Sequence, residues 1–260
     1  MKYKPAVPPA RRDTEPIFPV ALRNGHVNID SGIGATMMAV GVRAVLFDLD
    51  GTLLDTAPDM VAALNALRHE EHLAPLPYLQ ARSLVSHGAA ALVRHGFPTA
   101  AGPRFEALRQ RFLSIYAGSL AIETRPYAGV LEALAYLDSK AIAWGIVTNK
   151  PGELTGPLLE QLGLRSRAGA IVCGDTLAER KPHPLPLLHA AAQLAIEPAA
   201  CVYVGDAERD VLAAQAAGMR AYVALYGYIP TNERPHDWPA SGWIETPQEV
   251  TPWLRSLLDT

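Results

Sequence analysis

The sequence predicts an α/β protein: a Rossmann-like parallel sheet with helices on both faces and an all-α domain inserted into it. Three observations carry that prediction. From Val42 onward, short runs rich in β-branched and aromatic residues, apolar on both faces, alternate with stretches of helical periodicity. The alternation has the rhythm of right-handed crossovers between parallel strands. One connection breaks it, because more than ninety residues separate the first run from the second, far beyond a single crossover helix.

The elements follow in order. Residues 1–37 stand apart, since "MKYKPAVPPARRDTEPIFPV" places five prolines in twenty residues among scattered charges, which opposes helix and sheet alike. Met38 is expected to be the true start and residues 1–37 a disordered or misassigned extension; a real flexible tail is the alternative. Five strands are expected: "VRAVLFDL" (42–49), "AWGIVTN" (143–149), "AIVCG" (170–174), "CVYVGD" (201–206) and "RAYVAL" (220–225). Helices are expected over "GVLEALAYLDSK", "ELTGPLLEQLGL", "PLPLLHAAAQLAI" and "ERDVLAAQAAG", with Gly163 and Gly218 near C-caps. Residues 57–125 read as helical throughout and form the inserted domain, while 38–56 and 126–260 form the core, with a crossover helix over 130–139.

Composition narrows the function classes. The chain of 260 residues is about half apolar with a net charge of only −3, so nothing favours nucleic acid as a partner. The longest apolar run, "IGATMMAVGVRAVLF", is interrupted by Arg43 and falls short of the roughly 20 residues a membrane span needs. Cys173 and Cys201 sit in strand-like runs and read as small buried hydrophobes. A reducing, cytoplasmic setting fits, with the protein a monomer or homodimer.

The chemistry concentrates at strand ends. "VLFDLDGTLLDT" (45–56) crowds Asp48, Asp50 and Asp55 behind an apolar run, where carboxylates repel and unpaired burial is costly. In an open parallel sheet, ligands gather at the C-terminal ends of strands. Asp48 and Asp50, then Thr148 and Asn149, then Asp206 all fall there, with Lys181 following the third strand in "ERKPHP". Turn and cap roles explain single polar residues; four elements converging on one edge call for a shared ligand. Three carboxylates need a cation, and hard oxygen ligands describe magnesium. Magnesium beside a lysine suits a phosphoryl group, which a carboxylate can attack to form an aspartyl-phosphate.

"DLDGTLLD", "VTN", "KPHP" and "GDAERD", in this order, resemble the four motifs of the haloacid dehalogenase superfamily, over residues 42–228. The insertion point resembles that of the helical C1-type cap in phosphoglycolate phosphatase-like members. The resemblance implies a magnesium-dependent phosphatase with Asp48 as nucleophile and metal ligand. It implies that Asp50 is general acid and then base, with its main-chain carbonyl on the metal. Gly51 and Thr52 would shape the turn that opens and closes the site, Thr148 and Asn149 would bind phosphoryl oxygens, and Lys181 would offset their charge. Asp206 and Asp210 would complete the metal site, Asp210 by orienting a metal-bound water. Asp55 is expected to cap the following helix as readily as to act in catalysis.

Within the family, an acid at position 50 speaks against a dehalogenase. The absence of lysine from residues 57–125 removes a Schiff-base phosphonate hydrolase. A sugar phosphomutase stays open, as does, in another class, a non-catalytic phosphate-binding protein. The loop "SHGA" resembles the one by which such caps reach the active site. Ser86, His87 and Gly88 are therefore substrate candidates, with Gly88 permitting close backbone approach. Arg82 and Arg94 are possible carboxylate partners, though such a residue is more often just a solvated helix position, and His183 either caps or packs. Phosphoglycolate and N-acetylmuramic acid 6-phosphate both carry a carboxylate. "YGYIP" (226–230), Trp238 and "WGIVTNKP" resemble the muramic acid phosphatases and tilt the expectation that way, with the aromatics either stacking on sugar or simply packing.

Overall fold

The computed structural model describes residues 41–259. The expected extension over 1–37 and the Met37–Met38 pair lie outside the described residues.

The first strand, β1 (Ala44–Phe47), is buried on both faces. Its side chains alternate, as the pleat requires. Val45 and Phe47 join one hydrophobic cluster, while Ala44 and Leu46 join another on the opposite face. β4 (Ala143–Val147), β5 (Ala170–Val172), β6 (Cys201–Gly205) and β7 (Arg220–Ala224) follow the expected runs. With β8 (Gly242–Ile244) they form a parallel sheet in the order β5-β4-β1-β6-β7-β8. One face is covered by α5 (Val130–Ser139), α6 (Gly152–Gln161) and α9 (Val250–Leu258), the other by α7 (Leu185–Gln193) and α8 (Glu208–Ala216). Gly163 and Gly218, just past α6 and α8, take the left-handed conformation that ends a helix (φ 66° and 73°).

Between β1 and α5 stand four helices: α1 (Ala57–Glu70), α2 (Tyr78–Arg82), α3 (Gly88–Gly96) and α4 (Gly102–Ala117). They share a core of their own that includes Leu64, Leu92, Phe112 and Tyr116, and Leu154 and Tyr228 from the sheet side join it. The expectation of unbroken helix over 57–125 needs one correction. Residues after Ala117 leave the helix, and the chain returns through β3 (Arg125–Pro126), which pairs antiparallel with β2 (Leu54–Asp55). Buried Asp59 of α1 fixes this return by accepting the Glu123 and Thr124 N–H groups and the Thr124 hydroxyl.

Asp55 does not cap α1. It is still in extended β2, so Thr56 holds the N-cap position, and Asp55 instead accepts the Tyr228 hydroxyl at 2.6 Å. The same hydroxyl accepts the Ala57 N–H at 2.9 Å. Cys201 is buried as expected, whereas Cys173 falls just past β5 and is only half-buried.

Candidate active site

β1, β4 and β6 end side by side, and their parallel register delivers Asp48, Thr148 and Asp206 to one edge. The turn after β1 is tight. Gly51 sits at φ 85°, and a Cβ there would lie 2.1 Å from Asp206 Oδ2, so only glycine lets the two segments meet. Gly51 and Thr52 thus stand behind the cavity described below and do not line it.

Lys181 is completely enclosed. Its Nζ lies 2.9 Å from Asp48 Oδ1 and 2.8 Å from Asp210 Oδ1, and it also donates to the Val147 carbonyl and the Tyr203 hydroxyl. Asn149 lines the cavity, yet its side-chain amide is occupied: it donates to the Lys181 carbonyl at 2.9 Å and accepts the Lys181 N–H at 3.1 Å. The geometry makes Asn149 the clamp on the lysine segment. The Thr148 hydroxyl accepts the Lys150 N–H at 3.1 Å, leaving its own proton to donate.

Asp48, Asp206 and Asp210 each offer a carboxylate oxygen within 4.8 Å of the others, all three buried. Their charges are poorly tolerated together. Burial, then Asp48 and Asp210, push Asp206 up to about 7, and burial raises Asp48 against the pull of Lys181. Asp206 Oδ1 is buried without a hydrogen-bond partner among the described residues, while Oδ2 accepts Ser86 Oγ at 2.6 Å and the Tyr228 N–H at 2.8 Å. An orphaned carboxylate oxygen inside a cluster of like charge fits a hard divalent cation. Asp210 also accepts the Ala207 N–H at the start of α8.

In front of this cluster lies a cavity of about 350 Å³ walled by both the sheet edge and the inserted helices. Asp48, Asp50, Thr148, Asn149 and Lys181 line it, with Ser86, His87, Gly88 and Tyr116 opposite. Ser86 points at Asp206 and, at 3.4 Å, at the Asp50 carbonyl. His87 pairs with Glu233 at 3.4 Å. Gly88 lines the cavity and takes a φ of 79° at the entry to α3, where a Cβ would meet no protein atom within 4 Å.

The expected carboxylate partners lie elsewhere. Arg82 stacks 4.7 Å over Tyr228 and donates to the Gly227 carbonyl, and Arg94 stacks on Phe105. His183 accepts the Leu185 N–H at the head of α7. Tyr226, Tyr228 and Trp238 pack away from the cavity, so of the two roles left open for them the structure shows packing. Sequence reasoning missed Lys150, Arg109, Arg180 and Arg209, which all line the cavity. Arg209 donates to the Ser86 carbonyl at 2.6 Å. Lys150 is buried 2.9 Å from Asp50; burial opposes its charge, but the Asp50 carboxylate and Tyr116 outweigh it and hold its pKa above the usual lysine value. Its signal in the sequence was a lysine directly after the polar end of an apolar strand.

Comparison with known proteins places these features in a class. The chain belongs to the haloacid dehalogenase-like hydrolase family, whose model matches residues 45–224. It is 46% identical over 208 residues to a phosphoglycolate phosphatase of Xanthomonas campestris pv. campestris, covering 80% of this chain and 94% of that protein. It is 40% identical over 225 residues to the N-acetylmuramic acid 6-phosphate phosphatase of Pseudomonas aeruginosa, covering 86% of this chain and all of that one (100%). Among solved structures, a predicted phosphoglycolate phosphatase of Haemophilus somnus superposes with a TM-score of 0.74 at 24% identity, covering 82% of this chain and 98% of that one, which shows the shared fold.

Proposed function

We propose that this protein is a magnesium-dependent phosphomonoesterase working through an aspartyl-phosphate on Asp48. The observation that carries this reading is the buried Asp48–Asp206–Asp210 cluster, with Lys181 bridging Asp48 and Asp210, behind a cavity that Asp48 lines. The chain is a phosphoric monoester hydrolase, as its family and its phosphatase relatives indicate. Asp48, Asp206, Asp210 and the Asp50 carbonyl would hold the magnesium, which supplies positive charge to the phosphoryl oxygens. One Asp48 oxygen is held by Lys181 and the Leu49 N–H (2.8 Å), so the other faces the phosphorus. As the Asp48–phosphorus bond forms, the ester P–O bond breaks, and its electron pair takes a proton from Asp50. Asp50 then accepts a proton from the water that attacks phosphorus, and the Asp48 carboxylate and inorganic phosphate are released. Thr148 donates to a phosphoryl oxygen, and Lys181 balances the charge that develops.

The inserted helices act as a cap whose Ser86–Gly88 loop closes on the site and excludes water. The substrate is a small phosphorylated carboxylate, with N-acetylmuramic acid 6-phosphate favoured slightly over 2-phosphoglycolate. A cavity of about 350 Å³ is roomy for a two-carbon acid and suits a sugar phosphate, and Arg180 supplies a cation for a carboxylate beside Arg109, whose guanidinium pairs with Glu106. The enzyme acts in the cytoplasm as a monomer or homodimer. A side-by-side kcat/KM comparison of those two esters and glucose 1-phosphate, with magnesium, tests the assignment; isomerisation of glucose 1-phosphate would replace it with a mutase. Asp48→Asn is expected to abolish phosphate release with an unchanged circular dichroism spectrum, because an amide neither attacks phosphorus nor binds magnesium well. Appreciable turnover by that variant would overturn the covalent mechanism.

A further inference from the structure

Asp50 is held in an unusual way. Two donors converge on the same oxygen: Thr56 Oγ1 at 2.6 Å and Lys150 Nζ at 2.9 Å both reach Oδ1. Among the described residues, no donor reaches Oδ2, and Asp50 lines the cavity. With both lone pairs of Oδ1 engaged, an exchangeable proton on this carboxyl resides on Oδ2. Lys150 follows β4, but the remaining partners of its Nζ are in the inserted helices: the Tyr116 hydroxyl of α4 at 3.0 Å and, more weakly, Met60 Sδ of α1 at 4.0 Å.

We propose that Lys150 is a positioning residue, which fixes the Asp50 carboxyl so that Oδ2 alone handles the proton and does so only while α1 and α4 are packed over the sheet edge. The inference rests on the phosphatase reading above and adds a residue to it. The step is the departure of the alcohol: the ester P–O pair moves onto the leaving oxygen and the Oδ2 proton joins it, leaving Asp50 as a carboxylate paired to Lys150. A lysine that merely filled the interior and neutralised charge would slow all esters alike. A lysine that aims the acid matters most when the leaving oxygen needs a proton.

The test compares kcat/KM, which covers events only up to loss of the alcohol, on two esters. One is the best alkyl phosphate from the comparison above; the other is p-nitrophenyl phosphate, whose phenolate departs unprotonated. For Lys150→Met the expected loss is about 100-fold on the alkyl ester and about 5-fold or less on the aryl ester, within the range of general-acid contributions. Tyr116→Phe, which removes only the hydroxyl that steadies Lys150, should show the same bias at about 5-fold on the alkyl ester, and Lys150→Arg should fall between the two. Equal losses on both esters overturn the proposal. Should Lys150→Met fail to fold, Tyr116→Phe and Lys150→Arg decide by the same ratio. Wild-type protein that releases phosphate from neither ester overturns the phosphatase reading itself, a result distinct from unbiased variants of an active enzyme.

Discussion

Metal-free protein should lose stability as the pH rises toward neutrality, the opposite of what a salt-bridged carboxylate would do. The cause is Asp206, which is 1% exposed and pushed up to about 7 by burial and by Asp48 and Asp210. In the unfolded chain the same carboxyl titrates near pH 4. The native state therefore holds this proton more tightly than the unfolded state does. The stabilisation is complete below about pH 4, declines as the pH rises through about 7, and is absent above it. Over that window the loss is on the order of 4 kcal/mol, or roughly 10 °C in Tm for a chain of this size. Thermal melts in EDTA from pH 5 to 8 should show the decline in the wild type. Asp206→Asn, which mimics the protonated carboxyl, should show less of it. If the cluster holds magnesium as proposed, the ion would bind its deprotonated form, so at 100 times its Kd it should restore about 3 kcal/mol at pH 8 and much less at pH 5. Parallel pH profiles for wild type and variant, or a magnesium effect equal at both pH values, would refute the reasoning.

Two further changes probe the supports of the site. Gly51→Ala forces a Cβ into Asp206 at a positive φ, so magnesium affinity measured by calorimetry should fall at least about tenfold, with about 2 kcal/mol of destabilisation in urea. Unaltered affinity would show that the turn can move aside. Tyr228→Phe removes the hydroxyl joining Asp55 to the Ala57 N–H and should cost about 1–3 kcal/mol in urea unfolding. A change below about 0.5 kcal/mol would show that water replaces it.

The main strands were legible because each rests on local pattern. Apolar runs such as Ala44–Phe47 are read within one strand, and Asp48, Thr148 and Asp206 are placed by ending those runs. What escaped was either short or long-range. β2 and β3 have two residues each, too few for any periodicity to show, and β8, Gly-Trp-Ile, lacks the apolar run that marked the equally short β5. Lys150 meets Asp50 across 100 residues and Ser86 meets Asp206 across 120, pairings that no local spacing encodes. Asn149 illustrates a subtler gap: its place at the strand end was readable, but the preference of its amide for the main chain of Lys181 depends on how the loop before Pro182 folds. Asp55 fills neither of the roles open to it in the sequence, cap or catalyst, because it lies in the two-residue β2 and meets Tyr228, a partner no local spacing encodes.

The antiparallel pair β2–β3 has a consequence for how such a chain can diversify. Leu54 stands opposite Pro126 and Asp55 opposite Arg125, so the polypeptide departs from the sheet and re-enters it at a single address. A segment tethered at one point can be exchanged, lengthened or trimmed without rerouting any strand of the sheet. Grafting a different set of helices between β2 and β3 would leave Asp48, Lys181 and the acid cluster on the strands and loops that carry them. The wall that faces the ester would be rewritten, and Lys150 would be left to find a new phenol.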